Sequence, residues 1–393
     1  MEEKKLTIGI FVDSYFPMID GVVMVVHNYA KRLAEKANVI VFCPSFIKEY
    51  DDTQFNYKIV RSRSLKIPFI DYRAPLPRLT NAFKKALRTY KLDLVHIHSP
   101  FAVGRQGALY AKKHNIPSIC TLHSQHKRDL FEHTRSKLIT HFILSKMIKT
   151  IDQCEHLFAV NQKMSDLYVE YGVKKVPGVL LNATDMLPLG NVALVNELKQ
   201  KHHITDQKIL LYIGRLDITK NIYFTAKVLK ALSDKGFNYK MIFVGAGPQM
   251  TKLQTTIAEY GITNRVDFTG RIYERENIQA YFKMADLMVF PSEYDASSLV
   301  QIEASSQKTA TIFAKDSITS STITPEVNGY EAPLDVDIFS NKIIEIFKNE
   351  EKHAMISQRA FDDLYYHWDQ KVSEVYDYYV GLIEASKRKN MLK

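Results

Sequence analysis

The residues best suited to chemistry lie in two separated stretches. The first, Tyr212-Ile-Gly-Arg-Leu-Asp-Ile-Thr-Lys-Asn221, ends an apolar run in a glycine and follows it with two cations, Arg215 and Lys220. Cations at a strand end, just before a helix, suit a polyanion, because the helix N-terminus adds its own partial positive charge. The second, Asp295-Ala-Ser-Ser-Leu-Val-Gln-Ile-Glu303, supplies carboxylates. Asp295 follows an apolar run ending at Phe290 and can accept hydrogen bonds from sugar hydroxyls. Ser297 or Ser298 can cap the helix that begins near Leu299, whose first amides would face phosphates. Glu303 then lies one to two turns into that helix, far enough to reach a ribose diol. A carboxylate among Leu299, Val300 and Ile302 is costly without a partner, which argues for function over an exposed helix acid. Lys220 alone could be a solvated lysine at a helix start; paired with Arg215 it reads as a grip on a diphosphate leaving group.

Other candidates carry less weight. In Asp13-Ser-Tyr-Phe-Pro-Met-Ile-Asp-Gly-Val-Val23, Gly21 opens a helical run whose free amides could meet a phosphate, although an ordinary strand-to-helix turn reads the same way. His98 and His123 both end apolar runs, where a neutral imidazole can hold a sugar hydroxyl. Placement favours His123 over His98 or His126, and a satisfied structural histidine is the alternative for each. Val244-Gly-Ala-Gly-Pro-Gln-Met250 lacks the third glycine of a dinucleotide fingerprint, so Gly245 and Gly247 read as a tight turn near a nucleotide base. Asp335-Val-Asp337 has metal-binding spacing but sits among late loops beside Pro333 and reads as structural. No metal site is expected.

These residues need elements to hold them. Strand-like runs fall at 7–12, 39–43, 94–98, 118–122 and 157–160, then at 209–213, 240–244, 266–269, 287–290 and 311–313. Helical patterns at 22–37, 103–114, 223–235, 250–260 and 278–284 separate most of them. The alternation predicts α/β architecture, with parallel sheets covered by helices on both faces. Two runs of five strands fit two doubly wound Rossmann-like domains facing across a cleft, with ligands at the carboxyl ends of the strands. Pro and Gly punctuate 176–190, which places the domains at 1–186 and 187–371. Terminal helices are expected from 341.

At 393 residues, with 46% hydrophobic and 24% charged residues, the chain can build two globular cores. Cys43, Cys120 and Cys154 lack disulfide or metal spacing and read as reduced thiols. The short apolar run after the acidic start reads as a first buried strand rather than a leader, and no stretch has the length of a membrane span. A cytoplasmic location is expected, peripheral on the inner face of the cell membrane. Charge is uneven. Residues 1–185 hold 28 Lys and Arg against 17 Asp and Glu, a net of +11, whereas the remainder nets −1. Two basic segments, 61–91 and 127–149, mix cations with bulky apolar residues. The second suits a helix lying on an anionic membrane, each cation adding about 1 kcal/mol; a core-facing helix with a solvated basic side is the alternative. No aromatic stacking platform or binding motif supports nucleic acid as a partner.

With these pieces assembled, the chain resembles glycosyltransferase family 4, retaining enzymes of the GT-B fold that use nucleotide sugars, of the bacterial glycolipid and cell-envelope type. The resemblance spans almost the whole chain. It rests on Gly21, Thr121-Leu-His123, Asn182-Ala-Thr-Asp185, Gly214-Arg215 with Lys220, Gly245-Ala-Gly247 and the acidic pair. Members usually carry two glutamates where this chain has Asp295 and Glu303 at the same spacing, and a glycine where it has Ser298. The resemblance implies that Gly21 lets backbone approach the diphosphate and that His123 contacts the donor sugar near the reaction centre. It further implies that Arg215 and Lys220 neutralise the diphosphate, Asp295 holds sugar hydroxyls and Glu303 holds the ribose. Retention of configuration by front-face attack, without a metal or other cofactor, follows from it. Tyr365-Tyr-His-Trp-Asp369 looks like the family's C-terminal aromatic segment, which implies that the helix after it (about 372–393) packs back onto the first domain. The function so implied is transfer of a hexose from a nucleotide diphosphate sugar, a UDP-sugar for preference, to a membrane-lipid or envelope-glycan acceptor. A sugar-nucleotide epimerase of the same fold and a non-catalytic sugar-nucleotide-binding protein remain the alternatives.

Overall fold

The computed structural model describes residues 5–46, 50–67, 72–188 and 190–391. Residues 68–71 of the basic segment 61–91, Leu189 of the expected boundary and the last two residues of the expected C-terminal helix lie outside these. The chain divides into two compact units, residues 1–182 with 368–393, and residues 183–367. The division falls a few residues before the boundaries placed at 186 and at about 372.

The first unit runs β1 (Thr7–Phe11), α1 (Gly21–Lys36), β2 (Asn38–Pro44), β3 (Lys58–Ser62), β4 (Ser64–Lys66), β5 (Arg73–Pro75), α2 (Asn81–Thr89), β6 (Leu94–Ile97), α3 (Ala102–His114), β7 (Ser118–Leu122), α4 (His126–Thr134), α5 (Lys137–Ile151), β8 (His156–Ala159), α6 (Gln162–Glu170) and β9 (Gly178–Val179). Its seven-stranded sheet has the order β3-β2-β1-β6-β7-β8-β9, and β4 and β5 form a separate antiparallel pair. All pairings in the large sheet are parallel. Winding reverses between β1 and β6, so the loops after these strands flank the switch point of the sheet.

The second unit runs α7 (Val192–Lys201), β10 (Lys208–Ile213), α8 (Ile222–Asp234), β11 (Tyr239–Val244), α9 (Met250–Glu259), β12 (Val266–Gly270), α10 (Arg275–Met284), β13 (Leu287–Phe290), α11 (Leu299–Ser306), β14 (Thr311–Ala314), β15 (Tyr330–Ala332), α12 (Val336–Lys348) and α13 (Glu350–Leu364). The parallel sheet is ordered β12-β11-β10-β13-β14-β15, with its switch point between β10 and β13. Ile209 to Ile213 and Tyr239 to Val244 are buried without alternation, as strands covered on both faces must be. The last helix, α14 (Trp368–Met391), returns to the first unit. It packs on α1, where Arg32 meets Asp369 at 2.5 Å and Lys36 donates to Ser373 at 3.0 Å.

All ten expected strands form, within a residue at each end. Five more exist. β3 is a polar edge strand, β4, β5 and β15 have three residues each and β9 has two, so none carries a hydrophobic period to read. The segment 127–149 is two helices rather than one. Arg135 takes the left-handed conformation (φ 49°) that ends α4, and the Ser136 hydroxyl accepts from the Ile139 amide at 3.4 Å to start α5. Terminal helices begin at Val336, ahead of the expected 341, because Asp335 caps α12 by accepting from the Ile338 amide at 2.9 Å. Asp335 is thus a helix cap, in keeping with its structural reading.

Candidate active site

In the second unit the candidate residues gather at the carboxyl ends of β10 to β13. Gly214 leaves β10 with φ 156°, and Gly245 leaves β11 with φ 137°. A Cβ on Gly245 would lie 2.0 Å from the Gly214 carbonyl oxygen, and one on Gly247 would lie 2.2 Å from that of Leu216. The two loops therefore lie backbone against backbone, which only glycine permits. The Leu216 amide donates to the Ala246 carbonyl at 3.1 Å and joins them further. This contact is the physical reason for Gly-Ala-Gly after β11.

Across the switch point, Lys220 from the β10 loop forms an ion pair with Asp295 from the β13 loop. Both side chains are about four-fifths buried, with exposures of 19% and 21%. Asp295 commits Oδ1 to this pair, while its Oδ2 is sealed from solvent and has no hydrogen-bond partner among the described residues. Such an atom carries a desolvation cost unless something else satisfies it. Asp217 sets the turn that delivers Lys220, accepting from the Thr219 amide at 3.0 Å. Arg215 is exposed, with Asp217 at 3.9 Å, and the Tyr212 hydroxyl holds its carbonyl at 2.9 Å. Of the two possible caps, Ser298 serves, accepting from the Gln301 amide at 3.3 Å. Ser297 and Leu299 flank it, both half-buried.

Glu303 has a partner that the sequence did not reveal. Arg275, the first residue of α10, donates to Glu303 Oε1 at 2.9 Å and also pairs with Asp185. The cost of a carboxylate on this helix is thus met inside the protein, so burial alone no longer argues that a ribose must satisfy it. Burial raises the Glu303 pKa, and the Arg275 charge opposes that shift. Arg275 follows β12 within Arg271-Ile-Tyr-Glu-Arg275, and a cation just after a strand was the available signal.

In the first unit, Gly21 is the first residue of α1, exposed, with open space where a Cβ would lie. Nothing in the unit's own packing calls for glycine there. The amides beyond it are not all free, since Asp20 caps α1 by accepting from Val23 at 2.8 Å. His123, after β7, is buried, and its Nε2 lies 2.9 Å from Nδ1 of His98. His96 packs against His98 with ring centroids 4.0 Å apart, and its own nitrogens meet the Tyr379 hydroxyl and, at 2.7 Å, Thr121. Desolvation pushes the imidazoles down, His96 and His123 to about 3 and His126 to about 4. These rings are neutral at neutral pH. His126 opens α4, with Asp129 at 3.9 Å. Asp13, after β1, accepts from the Val103 amide at 2.7 Å and caps α3; burial pushes its pKa up to about 7 against the lowering by those amides.

Two sheets whose switch-point loops hold cations, carboxylates and imidazoles define a class of enzyme, and comparison with known proteins agrees. Residues 19–185 match the model described as Glycosyltransferase Family 4, and residues 195–363 match Glycosyl transferases group 1. The chain belongs to glycosyltransferase family 4 and is a glycosyltransferase of the GT-B fold. It is 25% identical to the alpha-monoglucosyldiacylglycerol synthase of Acholeplasma laidlawii, over 88% of this chain and 87% of that protein. It is 23% identical to a GDP-mannose-dependent alpha-mannosyltransferase of Corynebacterium glutamicum, over 98% and 91%. Among solved structures, Anabaena HepE in complex with UDP-glucose superposes with a TM-score of 0.74 at 18% identity, covering 95% of this chain and 99% of that one.

Proposed function

We propose that this glycosyltransferase moves a hexose from a UDP-sugar to a membrane-lipid or envelope-glycan acceptor with retention of configuration. The observation that carries the donor half is the Lys220–Asp295 pair at the switch point, with a buried Asp295 Oδ2 awaiting a donor. In this reading Lys220 and Arg215 stabilise the negative charge that grows on the departing diphosphate, so the step runs without a metal. Asp295 Oδ2 takes a sugar hydroxyl, while the amides of Ser297, Ser298 and Leu299, leading into α11, face phosphate. Gly245 gives the floor for the nucleotide, and Gly21 leaves room for the diphosphate at α1. Glu303 reaches the ribose while Arg275 holds it in place, and His123 touches the sugar near its reacting carbon.

The UDP preference is supported by the UDP-glucose in the HepE structure, and the GDP-mannose relative names the competing base. Two relatives named as alpha-monoglucosyldiacylglycerol synthases support a lipid acceptor. So does the surface of α4 and α5, where Leu138 is 85% and Phe142 57% exposed among Lys127, Arg128, Lys137, Lys146 and Lys149. No helix among the described residues is long and apolar enough to cross a membrane, and peripheral binding at the inner face is the corresponding proposal.

The test incubates the full chain with UDP-glucose or GDP-mannose, with and without vesicles of diacylglycerol in anionic lipid. Glucosylated lipid of α configuration, formed from UDP-glucose and unaffected by EDTA, is the expected result. Loss of product with EDTA would overturn the metal-free step, and a β product would overturn retention. An altered nucleotide sugar formed from donor alone would indicate epimerisation instead of transfer.

A further inference from the structure

The imidazole cluster of the first unit has one feature that the proposed function leaves unused. His98 Nε2 is sealed from solvent and finds no hydrogen-bond partner among the described residues, while Nδ1 of the same ring meets His123 Nε2 at 2.9 Å. Between two neutral imidazoles, one nitrogen must donate and the other accept. The orphan nitrogen decides which. A buried N–H without an acceptor is the rarer and costlier orphan, whereas a bare lone pair is tolerated more often. The His98 proton therefore belongs on Nδ1, where it has a partner.

We infer that His98 is a positioning residue that fixes the tautomer of His123, so that His123 presents an N–H donor at Nδ1 to the donor sugar. The inference rests on the proposed contact between His123 and that sugar. It assigns the chemistry of the contact: His123 donates a hydrogen bond to a sugar or phosphate oxygen and does not act as a base there. His98 Nδ1–H donates to His123 Nε2, which fills that lone pair and leaves the only His123 proton on the opposite nitrogen. His96 holds the arrangement, packed against His98 and tied through its own nitrogens to Thr121 and to Tyr379 of α14. The rings of His98 and His123 lie nearly parallel, at 17°, which keeps the two facing nitrogens in line.

The experiment is 15N-selective labelling of histidine in the full chain, with tautomers read from the ring nitrogen shifts. His123 protonated at Nδ1 is the expected result, and His123 protonated at Nε2 would overturn the inference. Kinetics with UDP-glucose as donor probe supply a second reading. His98→Leu removes the donor and should lower kcat/KM about tenfold, the worth of one well-placed hydrogen bond. His98→Asn keeps an N–H near the Nδ1 position and should stay within about twofold of the native value. Equal rates in the Leu and native proteins, or no rescue by Asn in a folded variant, would also overturn it. His123→Ala, run alongside, reports on the parent reading. If it alone retains full turnover, His123 does not touch the donor and both readings fail; if it loses turnover while His98→Leu does not, only the tautomer assignment fails.

Discussion

The two switch points are built from opposite electrostatic materials. In the N-terminal unit, the loops after β6 and β7 bring together imidazoles that burial keeps uncharged. In the C-terminal unit, the loops after β10, β12 and β13 bring together full charges, which survive partial burial because each has a counterion: Lys220 with Asp295, and Arg275 with Glu303 and Asp185. In the proposed reading the same open-sheet topology serves two tasks. One edge offers directional, neutral hydrogen bonding that suits sugar hydroxyls. The other offers fixed charge that suits a diphosphate and its departure.

Breaking the charged half should cost most. Lys220→Ala removes a cation from the developing charge and leaves Asp295 without its counterion. Turnover of UDP-glucose should fall by roughly 100- to 1,000-fold, measured by product release; a rate within a few-fold of native would dissolve the contrast between the units. Arg215→Ala, at an exposed position, should cost less.

Next comes the backbone that carries those charges. Gly245→Ala places a methyl group against the Gly214 carbonyl oxygen in a conformation that alanine avoids. A cost of about 3 kcal/mol should lower Tm by roughly 6–12 °C in calorimetry. An unchanged Tm would show that the loops are not held together as described.

Acid should distinguish the units. His96, His98, His123, His126 and His156 in the N-terminal unit have pKa values depressed by burial, against His353 in the C-terminal unit among the described residues. A group with a depressed folded-state pKa takes up its proton on unfolding, so stability is lost as pH falls below the ordinary histidine value of 6.5. Asp13, raised to about 7, acts in the opposite direction but is a single group. Between pH 6.5 and 4.5, protection from amide exchange, corrected for the intrinsic pH dependence of the rate, should fall more in the N-terminal unit than in the C-terminal one; an equal fall would contradict the burial assigned to the cluster. The smallest effect belongs to Asp335→Ala, which removes the α12 cap at about 1 kcal/mol, or roughly 2–4 °C, without altering turnover. A loss of activity there would contradict the structural reading of Asp335.

Much of this was readable from the chain alone, for identifiable reasons. Strands buried on both faces announce themselves as unbroken apolar runs, and the residues just beyond them fall at the carboxyl edge by topology. Gly214, Arg215, Lys220, His123 and Asp295 were found in that way. What could not be read was pairing. Nothing local in sequence says that Lys220 would meet Asp295, or that Arg275 would reach both Glu303 and Asp185, because these contacts depend on register between loops of different strands. Asp20 was likewise hidden as a cap, since the glycine beside it drew attention to an open helix end. His98, set below His123 on placement, gained importance only when its second nitrogen proved to be enclosed.

The Lys220–Asp295 pair has a consequence for the resting enzyme. With Lys220 already engaged by Asp295, that edge of the sheet offers little bare field to stray phosphate or other small anions. In the proposed reading a complete donor takes over both halves, offering oxygens to the ammonium and a hydroxyl to the carboxylate, whereas a lone anion satisfies one half and strands the other. On that reading, selection against incomplete ligands follows from the pair itself.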